Sequence, residues 1–114
     1  MVQVLKEGTL IADGSKQTLL EFTEFGTVEG YINLSNMEAG DTITIQYYLK
    51  AKKDGDYHLY HSETYSDVQT NPTVHFVKLP TKYGCKIILE QTHGVHQSLD
   101  YIFFKEVTVA TFNL

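Results

Sequence analysis

The sequence predicts an all-β protein, a single-domain antiparallel β-sandwich of two sheets. Short runs of alternating apolar and polar residues fill the 114 residues, and this alternation is the pattern of strands with one buried face. Turn residues separate the runs at short intervals, which is typical of sandwiches and barrels. A jelly roll is the first expectation. An immunoglobulin-like Greek key is the second, because the paired Cys residues around a buried Trp that mark immunoglobulin domains are absent: the chain has one Cys and no Trp.

The first third of the chain contains three strand-forming stretches. Residues 2–5 and 8–11 form a first ribbon that ends at an Asp-Gly-Ser turn. Residues 18–23 alternate next, and residues 27–34 alternate again with Gly30 in the middle of the inward face. A glycine leaves a gap on that face, and we expect a neighbouring aromatic ring to fill it.

The longest predicted strand is residues 42–53, which follow a turn-rich corner at residues 35–41. Alternate residues of this strand are apolar, so one of its faces belongs to the core. The pair Asp54-Gly55 follows, which is the signature of a two-residue type I′ turn. Residues 42–61 are therefore predicted to form an antiparallel hairpin.

The second half of the chain continues with a long connection and further strands. Residues 62–72 are polar and end at a proline, so they are predicted to cross from one sheet to the other. The strand-forming runs that follow are residues 73–79, 85–92, 98–105 and 107–114. No internal repeat and no linker divides residues 1–114, which are therefore predicted to be one domain.

The charge pattern argues against nucleic acid as a partner. All nine basic residues are lysine, and with fourteen acids they give a net charge of −5. Phosphate and base recognition favour clustered basic side chains, arginine above all. Lys50, Lys52 and Lys53 cluster beside the predicted hairpin turn, where a solvated end explains them.

No segment of the chain is predicted to span a membrane or to direct export. The longest uncharged apolar stretch, residues 101–104, is far shorter than a membrane-spanning helix, and the start lacks a signal-peptide pattern. Synthesis in the cytoplasm is therefore expected. Cys85 has no partner for an internal disulfide and is predicted to be a buried apolar side chain.

The histidines and carboxylates predict no catalytic, cofactor or metal site. A regular strand places residues i and i+3 on opposite faces, so His58 and His61 are expected to point apart. His93 and His96 flank a turn and are predicted to be exposed imidazoles. The acids are spread along the strands, and no nucleophile, phosphate-loop or zinc motif occurs. We therefore expect a protein that is not an enzyme.

Tyrosine is abundant in and near the central hairpin. Neighbours on a strand point to opposite faces, so one of Tyr47 and Tyr48 must lie outside the core. Outward tyrosines either pair across strands or bury area at protein interfaces. The interface candidates in this part of the chain are Tyr48, Tyr60 and Tyr65.

Both ends of the chain are also strand-forming. Residues 107–114 contain no charge, Gly or Pro and are rich in β-branched residues. A free edge of this kind would aggregate, so the segment either completes its own sandwich or adds to the sheet of a neighbouring subunit. Residues 1–6 pose the same choice. If the C-terminal segment is an intersubunit arm, its contact side chains are Val107, Val109, Phe112 and Leu114.

Five stretches of the chain carry a resemblance to known proteins. They are EGTLIADG at residues 7–14, YINLSNM at 31–37, GDTI at 40–43, LEQTHG at 89–94 and DYIFF at 100–104. Together they resemble short uncharacterised all-β proteins of archaea and their viruses, a group that supplies no functional residues. A small sandwich with β termini is also similar to the coat, cement or decoration proteins of virus particles.

These observations predict a structural protein that assembles with itself or with a larger lattice, as a virion capsid or decoration component. Its partners would be proteins, with neither nucleic acid nor membrane involved, and it would reside in the virion or alternatively in the cytoplasm. The alternative function is a carbohydrate-binding module. That module would use the three candidate tyrosines as platforms, with His93 and His96 at the rim, and the lack of Trp counts against it.

Overall fold

The computed structural model describes residues 2–106, without the side chains of residues 75–78. Strands and turns make up this part of the chain, and none of its segments is a helix that could cross a membrane. The strands are β1 (Val2–Ile11), β2 (Lys16–Phe22), β3 (Gly26–Asn33), β4 (Thr42–Lys50), β5 (Tyr57–Ser66), β6 (Thr73–Thr81), β7 (Cys85–His93) and β8 (Ser98–Glu106).

The strands form two antiparallel four-stranded sheets. The first sheet has the order β1-β8-β3-β6 and the second has the order β2-β7-β4-β5. β1 pairs with β8, β2 with β7, β3 with β6 and β4 with β5, so the chain is one long hairpin whose successive strand pairs fall in opposite sheets. This nested pairing is a jelly-roll sandwich and confirms the first expectation for the fold.

The inward side chains of both sheets fill one core. Its most deeply buried members are Val28, Ile32, Leu99 and Phe103 from the first sheet and Ile43, Ile45, Cys85, Ile87 and Leu89 from the second. The alternation along β4 is thereby confirmed, as is the burial of Cys85. Burial raises the pKa of the Cys85 thiol to about 11, which keeps the sulfur protonated and unreactive near neutral pH.

The gap at Gly30 is filled by an aromatic ring, as the sequence predicts. Gly30 lies on β3 beside β8, opposite Phe103. A Cβ atom at position 30 would lie 2.5 Å from Cδ1 of Phe103 and would also meet the carbonyl oxygen of Ile102. The missing side chain therefore allows the Phe103 ring to reach the centre of the core.

Replacing Gly30 with alanine is expected to lower the free energy of unfolding by about 1–3 kcal/mol, because the new methyl group overpacks the Phe103 contact. Thr27→Ala on the exposed face of the same strand is the matched control, with an expected change within about 0.5 kcal/mol. Urea denaturation of both variants tests this. Equal stabilities would show that β8 shifts freely to accept the methyl group.

The central hairpin is confirmed, but its turn differs from the predicted one. β4 ends at Lys50 instead of residue 53, and a six-residue loop joins it to β5. The loop contains a turn in which the Gly55 N–H donates to the Lys52 carbonyl at 3.0 Å, and Asp54 adopts a φ of 60°. A type I′ turn needs positive φ at both central residues, and of this pair Asp54 alone has it. The two-residue turn predicted at Asp54-Gly55 is therefore wrong.

The connection after the hairpin is shorter than predicted. β5 continues to Ser66, so residues 62–66, predicted as part of a loop, are strand. Residues 67–72 make the connection, and it crosses from the second sheet to the first, as expected. The polar composition of residues 62–66 misled the prediction because an edge strand such as β5 does not need a buried apolar face. The predicted strand 107–114 lies outside the described residues.

A buried carboxylate joins the loops at one end of the sandwich. Asp41, of which 2% is exposed, accepts hydrogen bonds from the Glu38 N–H at 2.8 Å, the Gln97 side-chain amide at 2.9 Å and the Val95 N–H at 3.0 Å. Gly94 adopts a φ of 94°, and a Cβ there would meet the Asp41 carboxylate. The hydrogen bond from Glu38, followed by those from Gln97 and Val95, holds the pKa of Asp41 below its usual value despite its burial.

Candidate assembly surface

In the described part of the chain, the two open sheets have four edge strands. β1 and β6 border the first sheet, and β2 and β5 border the second. Each edge carries unpaired backbone N–H and C=O groups that can pair with another chain, and soluble proteins usually block such edges. The four edges differ in how well they are blocked.

The β5 edge is blocked by a bulge and by inward polar groups. Tyr47 pairs with His61 and Tyr48 pairs with Leu59, so Tyr60 is an extra residue that interrupts the strand. His61 lies opposite the buried Tyr47, with 5.9 Å between ring centroids, and its Nε2 lies 2.8 Å from a carboxylate oxygen of Glu63. Charged inward-facing groups oppose the docking of another strand.

Glu63 and its neighbours form a hydrogen-bonded group on this edge. The Glu63 carboxylate interacts with His61 and accepts a hydrogen bond from the Tyr65 hydroxyl. These two contacts, that with His61 first, hold the pKa of Glu63 below its usual value. The carboxylate is therefore ionised on the strand edge over the physiological pH range.

The β2 and β6 edges carry other blocking features. β2 is seven residues long, begins with Lys16 and bulges at Leu19. β6 contains Pro80, whose ring nitrogen cannot donate to a ladder, and Pro72 directly precedes the strand. Both edges therefore disfavour the addition of a long strand.

The first half of β1 is different up to its bulge, because residues 2–4 carry none of these blocking features. A bulge at Leu5 separates Val4, which pairs with Phe104, from Lys6, which pairs with Phe103. Before the bulge, Val2-Gln3-Val4 contains no charge and no proline, and its two valines are 56% and 48% exposed. Residues 8–11 of the same strand are likewise uncharged and proline-free, so within residues 2–106 the β1 edge is the least protected of the four.

An apolar patch on the outer face of the first sheet adjoins this edge. Tyr31 and Phe104 lie on neighbouring strands with 5.9 Å between ring centroids, and Val4 pairs with Phe104 from the other side. Ile102 pairs with Tyr31 and lies on the same face, because its neighbour Phe103 points into the core. The outer apolar patch consists of Val2, Val4, Tyr31, Ile102 and Phe104, and it is bordered by the carboxylates that pair with three of them, Glu106 with Val2, Glu7 with Ile102 and Glu29 with Phe104.

The sequence contains an indication of this patch that a search for alternating apolar and polar residues does not detect. Residues 101–104 are apolar at every position, so both faces of that strand must be apolar. One face belongs to the core through Phe103, and the other carries Ile102 and Phe104 to the surface of the sheet. A run without alternation in an antiparallel sandwich thus predicts an apolar outer face.

The candidate interface tyrosines do not share one face. Tyr47 is buried and Tyr48 lies half-buried on the outer face, which confirms that the pair divides between the two sides. Tyr60 is 56% exposed at the β5 bulge. Tyr65 pairs with Ile43, which faces inward, and its hydroxyl donates to Glu63. A contact through all three would therefore have to wrap around the β5 edge.

A fourth tyrosine lies across the outer face of the second sheet. Tyr57 begins β5, and its hydroxyl donates to Glu21 on β2 at 3.0 Å, so the ring spans the two strands between them. The Nζ atoms of Lys50 and Lys86 lie 4.8 Å and 5.3 Å from the ring centroid. Partial burial and then the Glu21 hydrogen bond raise the pKa of Tyr57 to about 12.

The prediction that His58 and His61 point apart is wrong. The bulge at Tyr60 changes the alternation, so His61 lies opposite Tyr47 and His58 lies opposite Leu49, both on the inward side of β4. Even so, residues 2–106 contain no group of three or more His, Cys, Asp or Glu side chains that could hold a metal ion.

The residues of the alternative carbohydrate site are far apart. His93 pairs with Thr42 at one end of β4, whereas Tyr48 lies six residues further along that strand. At about 3.4 Å per residue, the two positions are about 20 Å apart. Tyr48 and Tyr60 therefore cannot share a single sugar-sized site with the histidine turn.

The fold and its sheet order make this chain a two-sheet jelly-roll β-sandwich protein. No family model and no curated protein sequence matches the chain. Among solved structures, it is similar to the crystal structure of PirA, with a TM-score of 0.50 and 17% sequence identity. The alignment covers 88% of this chain and 90% of that one. At this identity the likeness concerns the fold alone.

Proposed function

We propose that this protein is a non-enzymatic structural subunit that assembles with copies of itself. The observation that carries the proposal is the unblocked first half of β1, which runs directly into the outer apolar patch. Strand addition would satisfy the free backbone groups of the edge, and the patch would supply apolar area to the same contact. The acidic net charge keeps free subunits soluble.

The assembly that we propose is the shell of a virus particle, in which the protein is a capsid or decoration component. Eight-stranded jelly rolls recur in viral capsids, and they also occur in lectins and cupins, so the fold by itself permits several functions. The exposed edge and patch favour the first of these, because a capsid subunit is a jelly roll whose task is to contact its neighbours.

Val4→Lys tests the proposed surface. Val4 is half exposed in the single chain, so lysine should change the free energy of unfolding by no more than about 0.5 kcal/mol. At an interface, the loss of a buried valine costs about 1.5–3 kcal/mol, and the desolvated ammonium adds to this. We expect the concentration at which half of the chains assemble to rise at least tenfold, as measured by light scattering.

Leu59→Lys is the matched control, since Leu59 is similarly exposed on the edge strand β5 of the other sheet. We expect this variant to assemble like the natural chain. If Leu59→Lys disperses the assemblies and Val4→Lys does not, the interface lies on the central hairpin, where Tyr48 and Tyr60 would form it. A saturable response of tyrosine fluorescence to sugars would favour the carbohydrate-binding alternative.

A further inference from the structure

The strands run along one axis, so the loops gather at two ends of the sandwich. We name these ends by where the lysines lie, because the loops of one end contain no lysine and those of the other carry Lys52, Lys53 and Lys82 beside Glu24, Asp54 and Asp56. The acidic end consists of the loops 12–15, 34–41, 67–72 and 94–97, and the lysine end consists of the loops 23–25, 51–56 and 82–84 with the strand termini beside them.

The lysine end gathers five lysines at one corner. Lys50 lies beside the 82–84 loop, because its N–H donates to the Gly84 carbonyl at 3.0 Å, so the loops on either side of this contact are neighbours. Lys82 stands over Tyr83, with 5.4 Å from Nζ to the ring centroid, much as Lys50 and Lys86 stand over Tyr57. The corner lysines are Lys50, Lys52, Lys53, Lys82 and Lys86.

None of the corner lysines has a carboxylate partner in the described part of the chain. The ion pairs within 4.0 Å in residues 2–106 are His61–Glu63 and Lys105–Glu24. Asp54 and Asp56 share the 51–56 loop with the lysines but lie beyond that distance, and Glu21 accepts its hydrogen bond from Tyr57. Lys50 and Lys86 are half-buried over Tyr57, whereas the exposed ammonium groups of Lys52, Lys53 and Lys82 are available to an external anion.

The acidic end has the opposite character. Asp13, Glu38 and Asp67 are exposed in its loops, where lysine is absent, and Lys16 stands at the start of the adjacent strand. Glu38 and Asp67 sit on connected loops, because the Gly40 N–H donates to the Asp67 carboxylate at 2.8 Å. These two loops lie at the ends of β4 and β5, the same strands that carry the corner lysines at their other ends.

We infer that copies of this chain stack end to end, with the lysine corner of one copy against Glu38 and Asp67 of the next. A displacement along the strand direction brings the two surfaces together, because the same strand pair carries both. The contact is heterologous, so it repeats in rows or closes into rings. A nine-residue strand spans about 30 Å, and at 0.1 M salt the Debye length is about 10 Å. The charges at one end of the sandwich therefore do not influence the charges at the other end.

This contact differs from the β1 surface in its chemistry, and that difference separates the two in an experiment. The β1 surface depends on apolar burial and backbone pairing, which salt does not weaken, whereas the end-to-end contact depends on screened charges. The test therefore uses the full chain with Val4→Lys as background, in which the β1 contact is disabled. Light scattering follows its mass between 0.1 M and 1 M NaCl.

In this background we expect association at 0.1 M NaCl that weakens at least tenfold toward 1 M. Adding Lys52→Glu and Lys53→Glu should weaken association at 0.1 M at least tenfold, and Glu38→Lys should do the same on the acidic side. Mixing these two variants should restore association, because each retains the surface that the other has lost. Lys16→Glu, at the acidic end, is the matched control and should not weaken it.

Several results would overturn the inference. One is a Val4→Lys protein that is monomeric at every salt concentration. This result would contradict the end-to-end contact without contradicting the β1 contact of the natural chain. A second is association that is equal at 0.1 M and 1 M NaCl. A third is unchanged association of the Lys52→Glu, Lys53→Glu variant.

Discussion

Replacing Asp41 with alanine is expected to lower the free energy of unfolding by about 3–5 kcal/mol. The change removes the buried acceptor for three partly buried hydrogen bonds, from the Glu38 N–H, the Val95 N–H and the Gln97 amide. Each buried donor left without a partner costs about 1–3 kcal/mol. The side chain also joins the 34–41 corner between the two sheets to the 94–97 turn, so these two loops lose their common contact. Urea denaturation measures the effect.

Asp13→Ala is the matched control for that change. Asp13 also lies in a turn and also accepts hydrogen bonds, from the N–H and hydroxyl of Ser15, but it is exposed to water. Water replaces the lost acceptor there, so we expect a much smaller loss of stability than for Asp41→Ala. If Asp41→Ala costs no more than Asp13→Ala, the buried hydrogen bonds of Asp41 contribute little to stability.

The same carboxylate should make the fold sensitive to acid. The pKa of Asp41 is lower in the folded chain than in the unfolded chain, so the unfolded chain binds its proton first as the pH falls. Its contribution to stability is therefore complete above the unfolded pKa, about 4, and is lost as the pH falls through the lower folded value. Asp41→Asn should lose less stability than the natural chain between pH 6 and pH 3, as measured by urea midpoints. Parallel losses in both proteins would assign the acid sensitivity to other groups.

Deleting residues 107–114 is expected to abolish the salt-resistant assembly, so that at 1 M NaCl, where the end-to-end contact is screened, the chain is a folded monomer. These residues lie outside the described part of the chain, so the prediction comes from their sequence. That sequence contains no charged residue and is rich in β-branched residues. They follow Glu106, which pairs with Val2 at the edge of the outer apolar patch. An arm with its contacts at Val107, Val109, Phe112 and Leu114 would start beside that patch.

The described residues already complete all four nested strand pairs, which is why the shortened chain should fold. Light scattering measures its mass, and far-ultraviolet circular dichroism with urea denaturation measures its fold. A matched control replaces residues 107–114 with a Gly-Ser segment of equal length, and this chain should also be monomeric at 1 M NaCl. An unfolded truncated chain would assign the segment to its own core and would exclude the arm.

Most of the fold could be predicted from local patterns. The alternation in β4 identifies its buried face without any knowledge of its neighbours, because that face repeats every second residue. Gly30 similarly indicates a close approach, since a residue without a side chain interrupts an otherwise apolar face. The change of sheet after β5 follows from a polar segment that ends in proline.

The bulges and the edges could not be predicted in this way. The extra residue at Tyr60 reverses the alternation of β5, and it arises from the register with β4, which the residues of β5 alone do not record. The status of β1 and β5 as edge strands likewise depends on the whole sheet order. The surface that we propose for assembly results from this non-local information, because Val4 meets Phe104 and Phe104 meets Tyr31 only in the folded sheet.

Self-assembly is tested by measuring the mass of the purified full chain by light scattering over a concentration series. Electron microscopy would examine any species larger than a dimer. We predict a defined oligomer, ring, tube or shell whose population grows with concentration and is reduced by Val4→Lys. A strict 13.0 kDa monomer at high concentration would contradict self-assembly.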